Sequence, residues 1–121
     1  MDALSLLLRA EIPNLPEKEY KLKRLSALCG GPVIFKLKAL PYNRAIDLTK
    51  NQPEDLSVHI VLAGTVEPNL KDSELMAKYT AITPAELVKK MLLPGEIEDL
   101  SRAIEKLSGY REVTVEEIKK K

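Results

Sequence analysis

The sequence predicts an α+β fold, mostly α: an N-terminal short helix and a β-hairpin, then a compact bundle of about five short helices. Two observations carry this. Apolar residues alternate with a period of two before residue 40 and recur at helical spacing after it. Capping residues then precede apolar stripes repeatedly in the second half. At 121 residues the default is one domain, 1–121, long enough to bury a hydrophobic core. It divides into a docking segment and linker (1–16), the β-hairpin (17–40) and the helical part (41–121).

Residues 2–10 read as a short helix with Leu4, Leu7 and Leu8 on one face and Leu6 widening the stripe. A helix this short is marginal alone and needs a surface to pack against. It is expected to dock in a groove, on its own domain or on a neighbouring copy. Pro13 and Pro16 make the following segment an extended linker. Alternation appears at Tyr20–Leu22 and again at Val33, Phe35, Leu37 and Ala39, with Lys36 and Lys38 on the opposite side. Gly30-Gly31-Pro32 between the two runs predicts the hairpin turn. Leu25, Ala27 and Leu28 break the alternation, so the strand limits stay open.

The helical part starts with "PYNRAIDLTKN", in which Pro41 lies near the start of a short helix. In "QPEDLSVHIVLAGTV", Pro53, Glu54 and Asp55 suit a first turn, and Val58 to Ala63 predict a buried helix. A strand is the alternative there, because Val58, Ile60 and Val61 are β-branched. "KDSELMAKYT" is a further helix. Thr83, Pro84 and Glu86 form a capping signature ahead of Leu87, Val88, Met91 and Leu92. Pro94 ends that helix, with Gly95 permitting a tight turn, so Pro94-Gly95 is a corner between helices. A phosphate-binding loop would need more glycines and a Lys-Ser or Lys-Thr pair. The next helix has acidic residues at its start, which suit the helix dipole, and Ile97, Leu100, Ala103, Ile104 and Leu107 on one face. Gly109 stands where a left-handed residue closes a helix. Thr114 and Glu117 predict a last short helix running to Lys119, Lys120 and Lys121.

Composition narrows the function classes. Aromatic residues make up 4% of the chain and Trp is absent, so the core rests on Leu, Ile, Val and Ala. A single cysteine, Cys29, rules out an internal disulfide and suits a reducing compartment. No apolar run approaches a membrane span, and Asp2 with a short apolar stretch does not make an export signal. His59, alone in an apolar helix, reads as a packed or surface histidine rather than a ligand, and no Cys, His or carboxylate cluster has metal-ligand spacing. Cys29 reads as a turn thiol, since a nucleophile needs a nearby base. Glu96, Glu98 and Asp99 are accounted for by the helix dipole, and Tyr79 and Tyr110 by packing at the edge of the core. No catalytic residue, cofactor or metal is expected.

Charge is unevenly distributed. Residues 1–50 carry nine basic and five acidic side chains, and residues 51–121 carry ten and thirteen. Lys21, Lys23, Arg24, Lys36 and Lys38 concentrate on the hairpin. An ordinary solvated strand face accounts for this. So does self-association, with the positive end of one copy meeting the negative end of the next in weak, salt-sensitive, open oligomers. The excess is modest and few aromatics are interleaved, which argues against nucleic acid. Leu4, Leu7, Leu8, Lys36 and Lys38 are therefore the candidate protein-binding residues.

Several phrases, "IPNLPEKEYKLKRLS", "FKLKALPYNRAIDL", "VHIVLAGTVEPNLKDSELMAKY", "ITPAELVKKMLLPGEIEDLSRAIEKLSGY" and "VEEIKK", resemble the XkdN-like tail assembly chaperones of long-tailed phages and prophages. The resemblance runs over nearly the whole chain and is most specific from Thr83 to Tyr110. It implies a small protein in the cytoplasm of the bacterial host. Such a protein coats the tape measure protein and keeps it soluble, is displaced as tail tube protein polymerises, and is absent from the finished virion. The family has no catalytic motif to carry over. A structural tail component is the nearest alternative, and a small nucleic-acid-binding module is a more distant one.

Overall fold

Phe35 and Leu37, alternate residues of one strand and almost wholly buried, mark where the core lies. The computed structural model describes residues 2–119. The chain begins with α1 (Ala3–Arg9), whose start is capped by the Asp2 carboxylate accepting from Ser5 N at 2.9 Å. After the linker come β1 (Glu17–Lys21), α2 (Lys23–Cys29) and β2 (Ile34–Lys38). The strands β1 and β2 pair antiparallel, Tyr20 opposite Phe35 and Lys18 opposite Leu37.

The expected antiparallel pair is therefore present, but a helix connects its strands in place of a Gly-Gly turn. Leu25, Ala27 and Leu28, which break the strand alternation, lie in α2. Leu25 is buried and Leu28 is exposed. Gly30 does not turn a hairpin; it closes α2 in the left-handed region at φ 71°, the conformation glycine adopts without a steric penalty. Buried Ser26 fastens the connection, its Oγ accepting from Val33 N at 2.8 Å.

The helical part supplies α3 (Tyr42–Asn51), α4 (Leu56–Gly64), α5 (Ser73–Lys78), α6 (Pro84–Met91) and α7 (Pro94–Leu107). Helix α4 starts after the Pro53-Glu54-Asp55 stretch expected to form its first turn, because Asp55 sits in the left-handed region at φ 56°. The apolar run Val58 to Ala63 is helical throughout, as expected, and the strand alternative does not hold for it. The helix ends at Gly64, and the next three residues form β3 (Thr65–Glu67), which pairs antiparallel with the other side of β2. This third strand was not expected. The Glu67–Pro68 bond that follows is cis.

At the start of α6, Glu86 N donates to Thr83 Oγ1 at 3.1 Å and Ile82 N to the Glu86 carboxylate at 3.2 Å. The corner between α6 and α7 is made by extended backbone at Leu92 and Leu93. Pro94 takes the first helical position, which its fixed φ suits. Gly95 is not the turning residue, since it lies inside the first turn of α7. Gly109 does take the left-handed conformation, at φ 93°. The terminal helix expected from Thr114 is not formed: 113–119 have no regular structure, and Lys120 and Lys121 lie outside the described residues.

The buried side chains form one cluster that includes Leu22, Leu25, Phe35, Leu37, Val61, Leu87, Val88, Leu100 and Ile104. Helix α7 packs against the central strand β2, and α4 packs against both α6 and α7. Helices α4 and α7 meet closely at Gly64, where a Cβ would lie 2.6 Å from Ile104 Cδ1.

Candidate functional site

Helix α1 has none of its residues buried. Leu4, Leu7 and Leu8 are 65%, 74% and 76% exposed, so the stripe forms as expected but its leucines remain in solvent. Ile12 in the linker is still more open, at 97%. The linker is tied to the body at its end, where the Pro16 carbonyl accepts from Ala39 N at 2.9 Å.

Lys36 and Lys38 lie on the outer face of the sheet, opposite the core-facing Phe35 and Leu37. The sequence alone does not reveal what stands beside them. Lys38 is level with Glu17, and Lys36 lies between Glu19 on one side and Glu67 on the other. Lys36 Nζ is 3.4 Å from the Glu17 carboxylate. Lys21, Lys36 and Lys38 thus share their face with Glu17, Glu19 and Glu67. The basic concentration seen in the linear sequence becomes a mixed-charge lattice of cross-strand pairs. Such a lattice also discourages edge pairing by the wrong chain.

Arg24 is likewise engaged within the chain. Its guanidinium makes a forked contact with Glu96, with a shortest distance of 2.8 Å, and donates to the Met91 carbonyl at 3.0 Å. Glu96 also accepts from Leu93 N at 2.7 Å. Together they clamp α2 to the α6–α7 corner. The hydrogen bond from Arg24 holds the Glu96 carboxyl below its usual range, and the Leu93 amide adds to this against the opposing effect of partial burial. Glu96 therefore does more than compensate a dipole, although helix position alone could not name Arg24 as its partner.

An open apolar groove of about 340 Å³ runs between α3, α4 and the end of α7, walled by Leu40, Ala45, Leu48, Leu56, Ile60 and Tyr110. Most of its polar side chains are engaged within the chain. Glu105 accepts from Arg111 at 2.7 Å, and Thr49 Oγ1 donates to the Ala45 carbonyl at 3.0 Å. Ser108 Oγ accepts from Leu40 N at 2.9 Å and donates to the Ile104 carbonyl at 2.8 Å. What remains on offer is apolar wall and the half-exposed Tyr110 side chain. A second groove, of about 390 Å³, is lined by Tyr20, Leu22, Leu100 and Ala103, with the Arg24–Glu96 pair, Lys21, Lys23 and Asp99 around it.

His59 is half-buried on α4, and Cys29 is an exposed thiol at the end of α2. Among the described residues no group of three or more His, Cys, Asp or Glu is placed to hold a metal ion, and no helix is long and apolar enough to cross a membrane. Tyr79 packs against the core, whereas Tyr110 is half-exposed in the groove wall.

The fold and these surfaces define a small α+β protein with an exposed leucine stripe and an apolar groove. Its particular kind follows from comparison with known proteins. The model of the phage XkdN-like tail assembly chaperone family matches residues 4–119, and the chain belongs to that family. The crystal structure of the protein YqbN superposes with a TM-score of 0.69 at 26% identity, covering 91% of this chain and 98% of that one. No curated protein matches the chain.

Proposed function

We propose that this tail assembly chaperone binds the tape measure protein in the cytoplasm of the bacterial host and keeps it soluble until tail tube protein assembles around it. The observation that carries the reading is the leucine stripe of α1, fully formed yet left in solvent. A long helical client exposes apolar stripes of its own until the tube covers it, and such stripes aggregate unless shielded. A small protein present in many copies shields them reversibly, and copies that also touch one another add avidity. Self-association into open oligomers is part of this reading.

The test is co-expression. The cognate tape measure protein is expected in the soluble fraction with several copies of this chain bound, and in inclusion bodies without it. Equal insolubility with and without the chain overturns the assignment. Recovery of the chain in stoichiometric amount from purified virions would instead make it a structural tail component.

A further inference from the structure

We propose that the groove between α3, α4 and the end of α7 is the seat of helix α1 from a second copy of this chain. This deepens the chaperone reading by giving its self-association a contact. Each chain carries one exposed leucine stripe and one largely apolar groove in which Thr49, Glu105, Ser108 and Arg111 are already engaged. The two surfaces match in kind: a short amphipathic helix laid into an apolar trough is a recurrent mode of recognition. The helix is about 10 Å long, and a seven-residue helix gains stability only from a partner surface.

The occupant is a second copy rather than the same chain for two reasons. Pro16 is anchored beside Ala39, next to Leu40 in the groove wall, and linker residues 10–15 extend to roughly 20 Å. Yet with its own groove this near, the single chain leaves Leu4, Leu7 and Leu8 largely in solvent. Pro13 and Pro16 also hold the residues before them extended, which works against folding the helix back. One arm in one groove is small beside a standard interface, so the contact belongs to the weak, exchanging class. Such a contact suits a shield that must later be removed.

Site-directed cross-linking of the full chain tests this. In a Cys29→Ser background, one chain carries Leu7→Cys and another Thr49→Cys. Mixed under mild oxidation, they are expected to give a disulfide-linked heterodimer at least several-fold more abundantly than Leu7→Cys mixed with Lys71→Cys, an exposed control away from the groove. Adding Leu4→Ser and Leu8→Ser to the arm should remove that excess. Equal yields at Thr49 and Lys71 overturn the proposal. So does a chain carrying both Leu7→Cys and Thr49→Cys that closes on itself at high dilution, since the arm would then occupy its own groove. No client is present in this experiment. Loss of the cross-link with client solubility intact therefore sinks the contact alone, and the converse sinks the chaperone reading alone.

Discussion

At Gly64, helix α4 approaches α7 so closely that a side chain has nowhere to go. Three atoms of Ile104 stand within 2.8 Å of the position a Cβ would take, and Ile104 is itself fully buried with no free end to swing aside. Gly64→Ala is therefore expected to destabilise the fold by about 1–3 kcal/mol, the usual cost of overpacking a filled core. Urea unfolding measures it, and an unchanged midpoint would mean that the two helices can part. Glu96 carries a different expectation. Its folded-state acidity is strengthened, chiefly by Arg24. The stability it contributes is fully present above the ordinary glutamate value and is lost as pH falls through the lowered one. Glu96→Gln keeps an acceptor for Leu93 N but not the charge. The wild-type advantage over this variant should be clear at about pH 7 and should shrink at about pH 3. A gap that is constant across that range would show that charge plays no part.

Among the elements, those announced by local chemistry were legible in the sequence. The Thr83-Pro84-Glu86 signature, the stripe on α7 and the Gly109 terminator all depend on neighbours within one or two helical turns. The features that were not legible depend on distant partners. Thr65–Glu67 is strand only because β2 offers it an edge. The Lys residues of β2 look like a patch until Glu17, Glu19 and Glu67 arrive from elsewhere in the chain. Helix α2 hides inside an apparent hairpin because its seven residues hold too few turns for a clear period. Thr114 and Glu117 have the spacing of a capping box, but Val113, Val115 and Ile118 are left exposed with no core face to reward helix formation. Of the candidate site, the α1 stripe was readable and the groove was not, since the groove's walls come from three separated segments. The exposure of α1 gives an expectation of its own. Replacing Leu4, Leu7 and Leu8 together with Ser should change stability by no more than about 0.5 kcal/mol, as for other surface substitutions. The same replacement should abolish association and client binding. Thermal melts beside sedimentation separate these effects, and a marked loss of thermal stability would mean that the helix packs on its own body.

At the scale of the whole molecule, part of the uneven charge of the two halves is met inside each chain. Arg24 from the positive half grips Glu96 from the negative half, and Lys36 is level with Glu67 across the sheet. These contacts draw on the very groups that a head-to-tail charge contact between copies would need. The stripe of α1 and the groove beside α3 and α4 carry no such prior engagement of their apolar surface. Association between copies is therefore expected to follow the physics of apolar burial rather than that of screened charge. Raising ionic strength from about 0.05 M to about 1 M shortens the reach of surface charges to a few ångströms, while apolar contacts keep their strength and are reinforced by salts excluded from the protein surface. Sedimentation velocity over that range should show a weight-average mass that holds steady, or rises in sulfate, at constant protein concentration. A collapse to monomer at high salt would instead return the opposed charges of the two halves as the driving contact, with Lys36 and Lys38 as the first residues to reverse.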